Sequence, residues 1–125
     1  LVSKVKITTV TNNLEHSEMI SEFGKSKIYI GCSSSDGIST SFLEALCLGA
    51  YPIQTNTSCA GEWMNLGFSG SIIEPTSLEI LNALNSNYDS ADLNQKRIQN
   101  LINAKKHLEY NLIRSQALKF YGLSA

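Results

Sequence analysis

The stretch Ser33-Ser34-Ser35-Asp36-Gly37-Ile38-Ser39-Thr40-Ser41-Phe42-Leu43-Glu44-Ala45-Leu46-Cys47-Leu48-Gly49 constrains the fold more than any other part of the chain. The apolar run Ile28-Tyr29-Ile30 feeds into it and has the length of a short buried strand. Serines, an aspartate and a glycine then force a turn. Past the turn, Leu43, Leu46, Cys47 and Ala50 recur at helical spacing, which predicts a helix with these residues on its buried face. Gly49 stands where a helix C-cap is expected.

The chemistry open to such a loop follows from its helix. The first N–H groups of a helix have no intrahelical partner, and the macrodipole adds partial positive charge there. Gly37 lets a ligand approach the backbone, Ile38 follows it, and Ser39, Thr40 and Ser41 add hydroxyl donors. This combination suits a phosphate. Asp36 offers an acceptor for sugar hydroxyls, and Glu44, one turn inside the helix, is placed to reach a ribose. The plainer alternative is that Ser41 and Glu44 form an S-x-x-E capping box and bind nothing.

The rest of the chain repeats the alternation. Val5 to Val10 alternates apolar and polar residues and predicts a strand. Asn12 or Asn13 then opens a helix with Met19, Ile20 and Phe23 inward and Gly24 at its end. Strands are predicted at Ile28, at Tyr51 to Thr55 and at Ser71 to Ile73, with a short helix or turn at Glu62 to Leu66. A helix from Ser77 to Leu84 aligns Leu78, Leu81 and Leu84. After a polar break, Asp92 caps a helix carrying Ile98, Leu101, Ile102 and Leu108. Glu109-Tyr110-Asn111 interrupts it before a last helix with Leu112, Ala117, Leu118 and Tyr121. Leu112, Phe120 and Tyr121 either cover this domain or stand exposed for another. Strands alternating with helices imply a Rossmann-like parallel sheet with helices on both faces and terminal helices at the C-terminus.

With 125 residues the chain supports one domain, 1–125, around a single core. A net charge of −1 and ten scattered Lys and Arg leave no basic footprint, so no nucleic-acid partner is expected. No apolar run approaches a transmembrane segment. Cys32, Cys47 and Cys59 lack C-x-x-C spacing, so reduced thiols are expected and a metal site is not, with Cys47 in the core. His16 and His107 sit on predicted helices without a partner in pattern and are read as solvated or capping.

Asp36 and Glu44, seven residues apart, with Leu43-Glu44-Ala45 after a loop opened by an acid and a glycine, resemble the acidic-x7-Glu segment of the group 1 family of retaining nucleotide-sugar glycosyltransferases with a GT-B fold. The resemblance continues through Gly49-Ala50-Tyr51-Pro52-Ile53-Gln54-Thr55, then Asn56 to Trp63, then Gly67 and Gly70-Ser71-Ile72-Ile73-Glu74-Pro75. It covers about residues 5 to 122. It departs from the family pattern at Asp36, usually Glu, at Ser39, usually the second loop glycine, and at Ser58-Cys59, usually two glycines.

The resemblance implies part of a GT-B C-terminal domain, lacking the N-terminal acceptor domain and the first βα units. It implies a nucleotide-sugar donor bound by Asp36, Gly37, Ile38, Ser39, Thr40, Ser41 and Glu44. Asp36 would meet the transferred sugar, Glu44 the ribose and the loop amides the diphosphate. Ser58 and Glu62 are further possible contacts. A glycan or lipid-linked acceptor would come through the missing domain. The sequence contains no Asp-x-Asp, in keeping with metal-free transfer, and no cofactor is expected. The family's Arg and Lys that neutralise the diphosphate have no match, and Lys25 and Lys27 do not replace them. No catalytic residue is assigned. The expected location is cytoplasmic, or peripheral to the membrane in the full-length protein. The alternative is a non-catalytic Rossmann-like module that binds a nucleotide or a protein. A GT-B epimerase would need acid and base groups that the sequence does not offer.

Overall fold

The computed structural model describes residues 5–10, 13–57 and 59–123. Its strands are β1 (Ile28–Gly31), β2 (Tyr51–Thr55) and β3 (Ser71–Ile73), all parallel in the order β1-β2-β3. The helices are α1 (His16–Lys25), α2 (Thr40–Cys47), α3 (Ala60–Asn65), α4 (Ser77–Asn87), α5 (Leu93–Leu108) and α6 (Tyr110–Phe120). The expected α/β architecture is therefore present, with helices flanking a parallel sheet.

Alternation along the strands divides the core between two faces. Tyr51, Ile53 and Ile73 pack with Leu84 of α4 and Leu93 at the start of α5. On the other face Tyr29 and Ile72 pack against a cluster of Phe42, Leu46, Ala60, Phe68 and Ala104, drawn from α2, α3, α5 and the loop after α3. Helix α1 adds Phe23, which meets Ala45 and Ala50 and stacks edge-on with Tyr29 at 5.4 Å.

Several expectations need correction. The strand expected at Val5 to Val10 joins no ladder. Its residues flank β1 across an open cleft of about 1150 Å³, Ile7 and Val10 stay exposed, and nothing is paired to hold the segment in a sheet. The outer edge of β1 is consequently open among the described residues. Helix α1 begins on Glu15, not on Asn13, because Glu15 and Glu18 satisfy each other's backbone N–H in a reciprocal cap; Asn12 lies outside the described residues. Of the residues expected on the inward face of α2, Leu46 and the following Ala50 are buried and Leu43 is partly buried, but Cys47 is exposed, and Phe42 and Ala45 complete the buried stripe instead.

The largest correction is in α5. Ile98, Leu101 and Ile102 are exposed, and the inward face carries Leu93, Asn100, Asn103 and Ala104. The Asn100 amide is fully buried: its Oδ1 accepts from the Ser69 N–H at 2.7 Å, and its Nδ2 donates to the Ser69 carbonyl at 2.8 Å and the Ala50 carbonyl at 3.4 Å. One turn to either side, Arg97 Nε donates to the Gly49 carbonyl and Asn103 Nδ2 to the Gly67 carbonyl. These side chains bind the backbone at the end of α2 and after α3, where no apolar side chain would satisfy the carbonyls. In α4, likewise, Leu84 is buried but Leu78 and Leu81 are exposed. Glu109 ends α5 and caps α6 by accepting from the Leu112 N–H, as expected of the interruption. Helix α6 buries none of its residues, and Phe120 and Tyr121 stand exposed rather than covering the domain.

Candidate functional site

Parallel strands deliver their connecting loops to one edge, and here that edge is the carboxyl end of β1, β2 and β3. The loop from β1 to α2 is fastened first at Ser33. Its carbonyl accepts from Thr55 Oγ1 at 2.7 Å and from Thr57 Oγ1 at 2.7 Å, so the loops after β1 and β2 share one anchor. Asn56 N donates to the Ile73 carbonyl and brings in the end of β3. Beyond Ser33 the segment Ser34 to Ile38 is exposed, and it returns to the core at Ser39, which is buried.

Ser39 is the N-cap of α2: its side chain accepts from the Phe42 N–H at 3.3 Å. The capping box weighed for Ser41 and Glu44 is therefore not formed, because the N-cap lies two residues before Ser41. Thr40 and Ser41 occupy the first turn, where the amides lack intrahelical acceptors. Asp36, Gly37, Ile38 and Thr40 are exposed around this turn and Ser41 is half-buried. Glu44 leaves the next turn towards α1, and its Oε1 lies 2.7 Å from His16 Nε2. His16 is thus a hydrogen-bond partner of Glu44, not the unpartnered histidine expected.

Tyr29, expected only as part of an apolar strand, borders the candidate site. Burial above all pushes its phenol up, against a lowering hydrogen bond with Ser39, and the charges of Cys32, Asp36 and Glu44 push it up further. The phenol keeps its hydrogen to donate. Gln54 was missed as well. It is 1% exposed, its Nε2 reaches Ser33 Oγ at 3.4 Å, and its Oε1 finds no hydrogen-bond partner among the described residues. That oxygen lies against Gly31, where a Cβ would come within 2.0 Å of it.

Glu62 is exposed in the first turn of α3, where a carboxylate suits the helix dipole. Cys59, the α3 N-cap, holds φ at 51°, a left-handed backbone that suits the glycine expected at this place from the resemblance. Ser58 lies outside the described residues. Lys25 and Lys27 precede β1, at the end of the strand away from the loop; Lys25 pairs with Glu22, and Lys27 lies over the Tyr88 ring. Among the described residues no three His, Cys, Asp or Glu side chains gather as a metal site, and no helix is long and apolar enough to cross a membrane.

The model of the family described as Glycosyl transferases group 1 matches residues 4–104. The chain belongs to the group 1 glycosyltransferases. No curated protein and no solved structure matches it. The matched region of this glycosyltransferase domain begins ahead of α1, runs nearly to the end of α5, and includes Asp36, Glu44 and the whole loop between them. Helix α6 lies outside it.

Proposed function

We propose that this glycosyltransferase domain binds a nucleotide-sugar donor for metal-independent transfer of the sugar with retention of anomeric configuration. The observation that carries the reading is the first turn of α2 at the carboxyl end of β1, flanked by Asp36 and Glu44 within a family member. The amides of this turn and the Thr40 and Ser41 hydroxyls take the diphosphate. The helix terminus opposes the charge that grows on the leaving phosphate as the glycosidic bond breaks. Asp36 accepts from the transferred sugar, and Glu44 accepts from the ribose hydroxyls. The Tyr29 phenol, which keeps its hydrogen, donates within the same corner.

The test is titration with UDP, GDP and ADP followed by amide NMR. Shifts are expected first at Gly37 to Ser41, with weak affinity. Glu44→Gln is expected to weaken the best nucleotide by about tenfold or more, the loss of roughly one hydrogen bond from a charged acceptor, while shifting stability by less than about 1 kcal/mol. Shifts confined to α5 and α6, or none at millimolar concentration with all three nucleotides, would favour a binding module for some other partner. Lys25 and Lys27, engaged away from the loop, are the observation on that side.

The open edge of β1 and the exposed aromatic end of α6 support a larger assembly, in which further strands extend the sheet and a second domain holds a glycan or lipid-linked acceptor. Donor and acceptor then meet by closure across a cleft, and positioning supplies much of the rate. The 125-residue chain is expected to transfer no sugar from UDP-, GDP- or ADP-sugars to simple glycans. Robust turnover would show that it carries its own acceptor site.

A further inference from the structure

The contact between His16 and Glu44 joins the first turn of α1 to the second turn of α2 across 28 positions of sequence. Its Nε2–Oε1 distance of 2.7 Å is that of a charge-assisted hydrogen bond, and the Glu44 side chain is 21% exposed against 70% for His16. The carboxylate is therefore the seated partner and the imidazole reaches in from solvent. Glu44 also borders a shallow, mostly apolar depression lined by Ile20, Thr40, Leu43, Cys47, Leu48 and Leu108, and His16 is the hydrogen-bond partner its side chain has among the described residues. A carboxylate has two oxygens and about four acceptor positions, so one bond to His16 leaves Oε2 and a lone pair of Oε1 for a ligand.

We infer that His16 is a positioning residue for nucleotide binding: it fixes the Glu44 carboxylate in one orientation for the vicinal hydroxyls of a ribose. This rests on the reading of Glu44 as the ribose contact and adds to it the residue that prepares that contact. A glutamate on a helix surface otherwise samples several rotamers, and ordering it would be charged to ligand binding. With His16 in place the carboxylate is ordered beforehand.

The experiment measures binding of UDP-glucose, GDP-mannose and ADP-glucose to the wild-type chain, His16→Ala, His16→Gln and Glu44→Gln in one buffer. His16→Ala is expected to bind the best of the three several-fold more weakly than wild type, without a matching loss of melting temperature. His16→Gln, whose amide can still donate to Glu44, is expected to recover most of the affinity. If Glu44→Gln weakens binding while both His16 variants match wild type, the positioning role is overturned and the ribose reading stands. Tighter binding by His16→Ala would make His16 a competitor for the carboxylate and overturn the proposal equally. Wild-type chain that binds none of the three sugar nucleotides, or Glu44→Gln that binds like wild type, overturns both readings.

Discussion

Asn100→Leu is expected to destabilise the fold by about 3 kcal/mol, although it exchanges a polar residue for an apolar one of similar size at a fully buried position. The reason is the identity of the partners. Asn100 satisfies the N–H and the carbonyl of Ser69 and reaches the carbonyl of Ala50. These are backbone groups, which no compensating substitution can remove. Each group left buried without a partner costs about 1–3 kcal/mol, and the leucine's gain in apolar burial offsets only part of the sum. Ile102→Ser, on the outward side of the same helix at 55% exposure, is expected to change stability by less than about 0.5 kcal/mol. Urea unfolding of the two variants gives the comparison. A stable Asn100→Leu together with a crippled Ile102→Ser would mean that α5 docks through its aliphatic face after all.

Gly31→Ala is expected to cost about 2 kcal/mol, the usual range for forcing a methyl into a filled core. The new Cβ would lie 2.0 Å from Gln54 Oε1 and 2.9 Å from both Gln54 Cδ and the Tyr29 hydroxyl. Gln54 is too well buried to swing aside, and Tyr29 is held between Phe23 and the core. Shortening the obstructing side chain should relieve the strain, so Gly31→Ala with Gln54→Ala is expected to be less than additive by at least about 1 kcal/mol. Thermal or urea unfolding of the four members of the cycle measures the coupling. Strict additivity would show that the glycine is needed for its backbone and not for the space above it.

The order of elements was legible because each strand is short, apolar and bounded by turn residues, and each helix repeats its apolar positions. Ile28–Gly31, Tyr51–Thr55 and Ser71–Ile73 all formed where the pattern put them. Helix faces were less legible. In α5 Leu108 packs on the core as its spacing suggests, but Ile98, Leu101 and Ile102 point outward, because the inward contacts in mid-helix are hydrogen bonds to loops 31 to 50 residues away in sequence. Periodicity reports that a helix exists; it does not report what the helix meets. Val5 to Val10 shows the same limit for strands, since alternation gives a strand-like segment but not a partner for its N–H groups. At the candidate site the loop and the acidic pair could be read from local spacing. The N-cap was displaced by two residues from the expected box because Ser39, not Ser41, sits where the chain turns into the helix. His16, Tyr29 and Gln54 enter through the fold alone, each from a separate element.

The shared anchor at Ser33 carries a consequence for the kinetics of capture. With the Ser33 carbonyl clamped by both Thr55 and Thr57, the loops after β1 and β2 cannot open independently, and Ser39 fixes the far end of the first loop at the cap of α2. Among the described residues of the first loop, the stretch without such a tie is Ser34 to Ile38, which contains Asp36 and Gly37. The donor proposed above would therefore meet a tied rim with one short exposed span. Its arrival rate would follow that span, and its residence time the groups fixed on either side.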